Sequence, residues 1–550
     1  MRSGTEVRVA VRNALTETIW VRGLQDRARG TIDSTEIEPG ATQQFRFRAL
    51  SVGAWYYWAG ASGRTTAQYP MSTDDGELLG ALIVEADSIS HDRVFVMTRW
   101  TPRGLPGNTE YQLNAINGRS WPHTERLEYT VGDSLRWHVI NASDDLHMMH
   151  LHGFYYRVDN RGDAAHDSSL ARTRKASVVT VATRRGEWMS ITWSPDRVGN
   201  WLFHCHFVAH MSAAQRVASL DTQQPSGATD TTPMSNMLMH DAATSDMTMG
   251  DMGGLLLGVT VKPRRGAPPV AAATKPSREL QLFADMRQRV YGEAPGYGFV
   301  LQDGAAPPAR DSIRIPGTPL VLTRGDPVAI TVHNRTTAPM AVHWHGIELE
   351  SYYDGVAGWS GVAKRLAPII APDASFVAAF TPPRAGTFMY HVHNEAGDEL
   401  ASGLYAPLIV LEPGATFDQQ RDRIIVISNA GPGLHAATAI NGKLTPDTME
   451  FVAGETYRLR VIDIASNEAH VIALKGPTGV ASWRQLARDG QDLPAEQQAM
   501  QPARMVAAAG ITVDFEFTPP AAGEYAFEVT TIVSSAPAGA TLAPIRVRAP

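Results

Sequence analysis

Histidines spaced two residues apart are the most informative feature of this sequence. Four such HxH pairs occur, with Leu, Cys, Trp and Val as the middle residues. Side chains alternate between the two faces of a β-strand, so both imidazoles of a pair project from one face. Eight imidazoles facing one cavity suit a cluster of copper ions, whereas a lone zinc site needs only three or four ligands. The eight are His150, His152, His204, His206, His343, His345, His391 and His393.

Cys205 is the only cysteine of the chain and stands in the run His204-Cys205-His206. By the same alternation, its thiol must point to the opposite face of the strand. There it can join His147 and His210 in the set of two histidines and one cysteine that marks a type 1 blue-copper electron-transfer site. A single cysteine excludes an intramolecular disulfide and any zinc or iron–sulfur site that needs several cysteines.

The elements that must position these residues are β-strands. Alternating runs such as 7–11, 328–332 and 513–517 have a period of two, and turns rich in Gly and Pro separate them. Many short strands between turns predict β-sandwiches or small Greek-key barrels. A chain of 550 residues is long enough for several such units.

Internal repetition organises the strands into four β-domains. The segment from Gly4 lines up with the segment from Gly325, and the segment from Ile116 lines up with the segment from Ile440. This self-similarity indicates a duplicated two-domain unit, written here A–B–A′–B′. The predicted domains are A at 1–88, B at 89–272 with an insertion at 212–252, A′ at 273–414 and B′ at 415–550.

The candidate ligands fall in only two of these repeats, B and A′. We therefore expect A and B′ to have lost their copper ligands, and the cluster to form between B and A′. The aligned positions in A are Trp20, Arg22, Trp58 and Gly60. In B′ only His470 remains, and the other positions are Ala473, Lys475, Glu528, Val529 and Thr530.

Together, the motifs HWHG, HVH, HMMHLHG and HCHFVAH resemble the copper signatures of multicopper oxidases, the laccase-like enzymes built from cupredoxin domains. The resemblance covers nearly the whole chain, although HCH precedes HWHG here, the reverse of the order in three-domain laccases. It implies an all-β fold of four cupredoxin-like Greek-key β-sandwich domains in the A–B–A′–B′ duplication. It also implies copper as the cofactor, with about four ions per chain: one type 1, one type 2 and two type 3.

The same resemblance assigns a role to each ligand. His147, Cys205 and His210 are expected at the type 1 copper, and His150 and His343 at the type 2 copper. The expected ligands of the type 3 pair are His152, His204, His206, His345, His391 and His393.

Two further residues complete the expected site. Asp354 matches the acidic residue that the family places near the type 2 copper to assist proton delivery, and with Cys205 it is an expected catalytic residue. A turn aspartate in an Asp-Gly pair is an equally good interpretation. The axial type 1 ligand is expected to be Met252, because of its Met-Gly-Gly-Leu context; Gln215, ten residues after Cys205, is the alternative.

The insertion in B has a biased composition. Six methionines fall within 19 residues, interleaved with aspartates and His240. Thioethers are soft ligands that select Cu(I), and similar segments lie over the type 1 site in bacterial cuprous oxidases. The alternatives are a flexible linker or a Met-rich packing surface. The methionines are Met234, Met237, Met239, Met247, Met249 and Met252.

The expected function is a multicopper oxidase. It would take single electrons from a phenol, an aromatic amine or Cu(I), and reduce dioxygen to water with four of them. Two other classes stay open: a copper store or resistance protein without turnover and, less favoured, a copper nitrite reductase-like enzyme.

Composition restricts the partners. A net charge of −7 and a pI near 6.2 do not favour nucleic-acid binding. No apolar run reaches the roughly 18 residues of a membrane-spanning helix. The chain starts without an apolar signal-peptide region, whereas the resemblance implies a periplasmic or extracellular protein. The physiological donor, the redox potential and the oligomeric state are left open.

Overall fold

The structure is a computed structural model of the whole chain. The residues that it describes are 1–27, 30, 32–60, 78–86, 92–100, 110–169, 177–211, 215–217, 252–266, 275–393, 398–433, 436–532 and 539–550. The part of the insertion that contains the first five methionines of the biased segment lies outside these residues. The predictions made for it therefore stay predictions.

The protein is almost entirely β, as the sequence predicts, and within the described residues its strands form eight sheets. The sheets occur in four consecutive pairs along the chain. We keep the names A, B, A′ and B′ for the corresponding residues; the domain boundaries stay a prediction. The only α-helix in the described part is α1, Asp398–Ala401, and short 3-10 turns lie at Val208–Met211, Ser351–Tyr353 and Ala495–Gln497.

Region A has a sheet of β1 and β4 and a second sheet in the order β3-β2-β5-β6. Its strands are β1 Thr5–Arg12, β2 Ile19–Arg22, β3 Ser34–Ile37, β4 Thr42–Ala49, β5 Gly53–Gly60 and β6 Leu79–Val84.

Region B has one sheet that contains β13-β12-β16-β10-β7-β8-β18 and a second sheet with the order β15-β11-β17-β19-β9. Its strands are β7 Arg93–Trp100, β8 Glu110–Ile116, β9 Arg126–Thr130, β10 Leu135–Asn141, β11 His147–Leu151, β12 Tyr156–Gly162, β13 Asp167–Ser169, β14 Ser177–Val178, β15 Thr180–Thr183, β16 Trp188–Trp193, β17 Gly199–Cys205, β18 Gln215–Val217 and β19 Leu256–Lys262.

Region A′ has two four-stranded sheets, in the orders β21-β20-β23-β27 and β22-β29-β28-β24. Its strands are β20 Arg278–Tyr291, β21 Ala294–Leu301, β22 Leu320–Thr323, β23 Val328–Asn334, β24 Val342–His345, β25 Gly361–Val362, β26 Arg365–Leu366, β27 Ser375–Phe380, β28 Gly386–Val392 and β29 Tyr405–Leu411.

Region B′ repeats the plan of B, with sheets ordered β31-β30-β33-β40-β36-β37 and β32-β42-β41-β34-β35. Its strands are β30 Asp422–Asn429, β31 Thr438–Ile440, β32 Met449–Val452, β33 Tyr457–Asp463, β34 Ala469–Gly476, β35 Gly479–Val480, β36 Ser482–Arg488, β37 Gln491–Asp492, β38 Met500–Pro502, β39 Arg504–Ala508, β40 Ile511–Phe517, β41 Gly523–Thr531 and β42 Ala540–Arg548.

Region B lies in contact with the other three. One apolar core contains residues of both B and B′, for example Phe203 and Phe527. Region A packs on B through Trp55, whose ring meets that of Trp188 edge-on at 5.3 Å. B and A′ share a sheet, because β25 pairs with β17.

Hydrogen bonds hold the two halves of this B–A′ junction in register. The Ser351 hydroxyl donates to the Asn200 carbonyl at 2.6 Å, and the Asn200 amide donates to the Trp359 carbonyl at 3.0 Å. The Trp359 indole N–H donates to the Trp201 carbonyl at 3.0 Å. These bonds fix β17, the strand that carries the HCH motif, against A′.

Candidate metal centre

The structure brings all eight histidines of the HxH pairs together between B and A′. In B, β11 pairs with β17 so that His150 lies opposite His204. In A′, β24 pairs with β28 so that His343 lies opposite His391. Each pair of strands presents four imidazoles from one face, and the two faces meet at the B–A′ junction.

The rings from B and A′ interleave. The His150 ring stacks on His345 and the His152 ring stacks on His343, each with 4.0 Å between centroids. The remaining contacts across the junction include His206 with His391 at 5.3 Å and His204 with His393 at 5.6 Å. Each ring from B thus has a neighbour from A′.

Protein carbonyls accept hydrogen bonds from the outward nitrogens of several rings and so set their tautomers. The Nδ1 atoms of His204, His343 and His391 lie 2.8, 2.7 and 2.8 Å from the carbonyl oxygens of Cys205, Asp354 and Val392. Each of these rings therefore turns its Nε2 atom towards the centre of the cluster, where His204 Nε2 lies 2.9 Å from His152 Nε2.

Six buried ring nitrogens have no hydrogen-bond partner among the described residues. Buried polar atoms are normally satisfied, so a group of orphaned nitrogens that converge on one space indicates a missing ligand. The donor set, all imidazole, suits copper. The six atoms are His150 Nε2, His206 Nδ1, His343 Nε2, His345 Nδ1, His391 Nε2 and His393 Nε2.

Burial keeps these imidazoles neutral. Desolvation lowers the pKa of His204 and of His391 to about 4. Desolvation, reinforced by the neighbouring imidazoles, lowers the pKa of the other six histidines well below the ordinary value of 6.5. Neutral imidazole is the form that binds a metal ion, so the site favours metal over protons at neutral pH.

Asp354 joins the cluster from A′. Its Oδ2 atom lies 2.8 Å from His152 Nδ1 and accepts a hydrogen bond from the Ser360 hydroxyl at 3.2 Å. Its backbone carbonyl lies 2.7 Å from His343 Nδ1, so one residue orients a histidine of B and a histidine of A′. Burial raises the pKa of the Asp354 carboxyl above its ordinary value, although His343 and Ser360 act in the opposite direction.

The glycine after Asp354 explains how a turn residue can also contact the histidine cluster. Gly355 has φ of +91° and lies so close to β24 that a Cβ atom would collide with the Val342 carbonyl. Asp354 is thus a turn residue, and the turn is what brings its carboxylate and its carbonyl to the histidines.

The predicted type 1 set also comes together, on the opposite face of β17. Cys205 Sγ lies 3.4 Å from His210 Nδ1 and 3.9 Å from His147 Nδ1, and the two imidazole nitrogens are 3.0 Å apart. All three residues are buried. The Met148 backbone N–H points at the sulfur at 3.4 Å. Two histidine nitrogens and one cysteine sulfur converge within reach of a single ion.

Two residues that the sequence analysis did not select hold the far nitrogens of these histidines. Ser143 Oγ lies 2.8 Å from His147 Nε2, and Asp145 Oδ2 lies 3.4 Å from His210 Nε2. Arg99 holds Asp145 at 2.9 Å. Burial lowers the pKa of His210, but the Cys205 thiol and Asp145 outweigh burial and raise that pKa to about 9. Asp145 could have been suspected from its position two residues before His147, whereas nothing in the sequence singles out Ser143.

Met252, the predicted axial ligand, packs among Trp121, Leu202 and Leu256. It also lines a small cavity with His204 and histidines of A′, on the cluster side of β17. This placement does not support the axial assignment, which stays a prediction. For the alternative, Gln215, the structure describes only its backbone, in β18.

Leu255 occupies the thiol side instead. It is fully buried in the core that contains Cys205. Its carbonyl accepts the Cys205 N–H at 3.0 Å, and its N–H donates to the His210 carbonyl at 2.9 Å. The backbone of this one residue thus connects Cys205 with His210.

B′ supplies none of the predicted ligands, yet it contacts both metal sites. The Gly510 carbonyl lies 3.0 Å from His345 Nε2, and a Cβ atom on Gly510 would lie 2.9 Å from the His206 ring. The Asn467 side chain accepts the Ala209 N–H at 2.8 Å, within the 3-10 turn that carries His210. The sequence analysis missed these contacts because they arise between distant segments.

Asp489 of B′ positions a second part of the cluster. Its carboxylate accepts the N–H of Val179 at 3.0 Å and of Thr180 at 3.3 Å. The Val179 carbonyl and the Thr180 hydroxyl both lie 3.0 Å from His150 Nδ1. A buried carboxylate of B′ therefore orients a histidine of B through two neighbouring residues.

Comparison with known proteins now gives the family of these segments. Family models described as multicopper oxidase match residues 95–223, which contain the ligands of B, and residues 313–415, which contain those of A′. These two segments are multicopper oxidase domains. Domains of this family bind copper, and the two histidine clusters fit that cofactor.

Named relatives agree with the two multicopper oxidase domains. A copper resistance protein A homolog of Pseudomonas syringae is 36% identical over 21% of this chain and 18% of its own length. Multicopper oxidase MmcO of Mycobacterium tuberculosis is 31% identical over 24% of each chain. Laccase-12 of Oryza sativa is 29% identical over 28% of this chain and 31% of its own length. The chain thus spans less than a third of these relatives.

Solved structures with similar coordinates include a multi-copper oxidase from Pseudomonas Thermotolerans. It is 22% identical, with a TM-score of 0.38, over 50% of this chain and 65% of that chain. A blue copper oxidase from Nitrosomonas europaea is 20% identical, with a TM-score of 0.37, over 49% of this chain and 85% of that chain.

Among the described residues of our chain, no helix is long and apolar enough to span a membrane.

Proposed function

We propose that the protein is an oxidase that takes single electrons from a small phenol or aromatic amine and reduces dioxygen to water. The observation that carries the proposal is the run His204-Cys205-His206. Its thiol belongs to a buried set of two histidines and one cysteine, and its imidazoles belong to a buried group of eight. An oxidase needs both sites, because one accepts single electrons and the other delivers four of them to one oxygen molecule.

Copper in these sites would supply the one-electron steps that amino-acid side chains cannot perform. We assign about four ions per chain, as expected for this ligand set. His147, Cys205 and His210 would hold the type 1 ion, and His150 and His343 the type 2 ion. The type 3 pair would be held by His152, His204, His206, His345, His391 and His393.

The protein's part in electron transfer is a short path between the two sites. Cys205 is covalently joined to both His204 and His206, so few bonds separate its sulfur from either imidazole. The hydrogen bond from His204 Nδ1 to the Cys205 carbonyl, at 2.8 Å, provides a second route to the same ring. The path needs no motion of the chain, because all three residues are buried in β17 or directly after it.

The protein's part in proton delivery rests on Asp354. Water formation consumes one proton for each electron, and a buried carboxyl with a raised pKa can hold a proton beside the cluster. Oδ2 of Asp354 is within hydrogen-bond distance of His152, and the Ser360 hydroxyl donates a hydrogen bond to the same oxygen atom. We propose that Asp354 passes protons to the oxygen-reducing side.

Cu(I) is a second candidate donor. It is favoured by the six methionines of the insertion, since thioethers select Cu(I). The names of two relatives, copper resistance proteins of Pseudomonas syringae and Escherichia coli, are in keeping with a role in copper handling. The resemblance to copper resistance proteins and laccases supports a periplasmic or extracellular location.

The test is to load the protein with copper and to measure copper per chain, the blue absorption band and oxygen uptake with 2,6-dimethoxyphenol or Cu(I). We expect about four copper ions per chain and one oxygen molecule consumed per four donor electrons. Copper loading without oxygen uptake would indicate a store, and reduction of nitrite would indicate a nitrite reductase.

Two matched variants test which residues belong to the histidine cluster. His152→Ala should abolish oxygen uptake and keep the blue band, because His152 does not contact the thiol. Lys475→Ala changes the aligned position in B′ and should leave copper content and oxygen uptake unchanged. Loss of the blue band in folded His152→Ala would contradict the division of ligands between the two sites.

A further inference from the structure

A cavity of about 530 Å³ lies between B and B′, next to the type 1 set. This volume is within the range of small-molecule sites, roughly 300–1,000 Å³. Its apolar lining comes from both regions and includes Val178 and Val181 of B and Ala507 and Ile511 of B′. An aromatic ring bound in this cavity could contact apolar side chains of B and of B′.

One end of the cavity is lined by residues that contact or directly precede the predicted type 1 ligands. Asp145 lines the cavity, and its Oδ2 atom lies 3.4 Å from Nε2 of His210, on the far edge of that ring from Cys205. Leu146, the residue before His147, lines it as well. His147 and His210 do not themselves line the cavity, so a donor bound there would contact Asp145, whose carboxylate lies between it and the outer edge of the His210 ring.

The charge of the cavity walls is uneven. Four arginines line it, against two aspartates, Asp144 and Asp145. Arg99 holds both aspartates, at 2.8 and 2.9 Å. The arginines are Arg161, Arg184, Arg185 and Arg488.

Among these arginines, Arg184 and Arg185 carry charge at the solvent side. They stand together in the turn between β15 and β16, and both are exposed. Glu187 holds Arg161 at 2.7 Å but lies 3.7 Å from Arg184, whose side chain is 65% exposed. Arg488 donates to the Thr180 carbonyl at 3.1 Å. The outer wall is therefore suited to an anion.

From this arrangement we propose that the cavity selects phenols that carry a carboxylate. The ring would lie on the apolar floor, the hydroxyl would point to Asp145, and the carboxylate would be held by Arg184 and Arg185. Guanidinium groups bind carboxylates with paired hydrogen bonds, which gives preference for an acid over its neutral ester. The inference rests on the proposed oxidase function and names its substrate class.

The reaction balances without a further reactant. Each phenol would lose one electron to the oxidised type 1 site and its hydroxyl proton to water, which leaves a phenoxyl radical. Four such events supply the electrons for one oxygen molecule, which takes up four protons to give two water molecules.

The experiment compares 4-hydroxy-3,5-dimethoxybenzoate with its methyl ester, since the two differ in charge while both carry an electron-withdrawing group. We expect kcat/KM for the acid to exceed that for the ester by about tenfold, the effect of roughly one well-placed charge pair, with the difference mainly in KM. The double variant Arg184→Gln/Arg185→Gln should remove this preference. Arg289→Gln removes an exposed charge of A′ and is the control.

A binding measurement separates the cavity from the chemistry. 3,4,5-Trimethoxybenzoate has no hydroxyl to oxidise, and calorimetry on the copper-loaded protein should show binding that weakens about tenfold in the double variant. Equal kcat/KM for acid and ester, or equal binding by both proteins, would overturn the inference and leave the oxidase proposal intact. Absence of turnover with both donors, with binding intact, would overturn the oxidase proposal instead.

Discussion

Regions B and B′ are two copies of one architecture, and they differ in what that architecture holds. In B, Met149 lies opposite Cys205 and His150 opposite His204. In B′, Ile472 lies opposite Val529 and Ala473 opposite Glu528, as the alignment of the repeats requires. The strands, their order and their register are shared. The side chains decide whether the same frame forms a metal site.

On the strand face that corresponds to the Cys205 side of β17, B′ has an ion pair where B has the predicted type 1 set. His470, the counterpart of His147, lies 2.7 Å from Asp463 and 3.8 Å from Glu468. Val529 replaces Cys205 and is fully buried. His470 lies among carboxylates with no thiol beside it, whereas His147 and His210 lie together beside the Cys205 sulfur, a donor set that suits a soft metal ion.

On the outer face, the two copies differ in coverage. Nearly every residue of β17 is buried, because A′ covers its outer side. The equivalent β41 alternates between buried and partly exposed residues. There Lys475 and Glu528 form an ion pair at 2.6 Å that is partly in water. The copy that carries the histidine cluster is therefore also the copy whose outer face is covered by a neighbouring region.

The strongest test of this comparison replaces the residue that differs most. Cys205→Ser should abolish the blue band and oxygen uptake, because the proposed function makes this sulfur both a ligand and the electron path. Val529→Ala, at the same position of B′, should leave both unchanged and lower the free energy of unfolding by about 1–3 kcal/mol through the cavity it makes. Copper titration and absorption spectra check both results. A blue band in Cys205→Ser would refute the assignment.

A second test compares two buried aspartates that each contact a histidine. Asp354→Asn keeps the shape but removes the acid, so oxygen uptake should fall by about 100-fold while the blue band remains. Asp463→Asn breaks the aspartate–histidine pair within B′ and should lower the melting temperature without changing oxygen uptake per copper. Equal losses of uptake in the two variants would show that Asp354 acts only on folding.

The third test uses pH. Burial lowers the pKa of His470, but Asp463 and Glu468 outweigh burial and raise the pKa above 6.5. Protonated His470 therefore stabilises the folded state fully below pH 6.5, and this stabilisation is lost as the pH rises through the raised pKa. Urea unfolding of the wild type and of His470→Gln should show their difference shrinking as pH rises. His166→Gln, at an exposed site, is the control. A difference that grows with pH would mean that His470 is neutral when folded.

The smallest effect is expected at Met252. Its place on the cluster side predicts that Met252→Leu leaves the type 1 potential and the blue band unchanged. Leu255→Met, on the thiol side, should lower the potential by adding a thioether near the type 1 ion. Redox titration of the blue band measures both. A shift in Met252→Leu alone would restore the axial assignment made from the sequence.

Much of the site could be predicted because its information is local. The spacing of two in His343-Trp344-His345 decides that both imidazoles share a strand face, whatever the rest of the fold does. The same rule places Cys205 on the opposite face from its neighbours, and the structure has it there. The repeats likewise predicted which copy of B would carry ligands, since a ligand is either present in the sequence or absent.

Register was less predictable, because it depends on a partner strand. The sequence alignment matched Trp20 with His343 and Trp58 with His391, and His343 does pair with His391. In A, however, Trp20 pairs with Gly60, so the sheet is shifted by two residues from that of A′. A shift of two keeps each side chain on its face, so the alternating pattern cannot detect it.

What the sequence by itself determined is which residues are the candidate metal ligands and the two strand faces on which they stand, because strand alternation is a property of the local backbone. Only the tertiary structure decided what surrounds them. Asp489 and Gly510 reach the cluster from B′ across more than 100 residues of chain, and Asp145 contacts His210 and lines the cavity between B and B′. Contacts of this kind come from how regions pack, and no spacing within a strand encodes them.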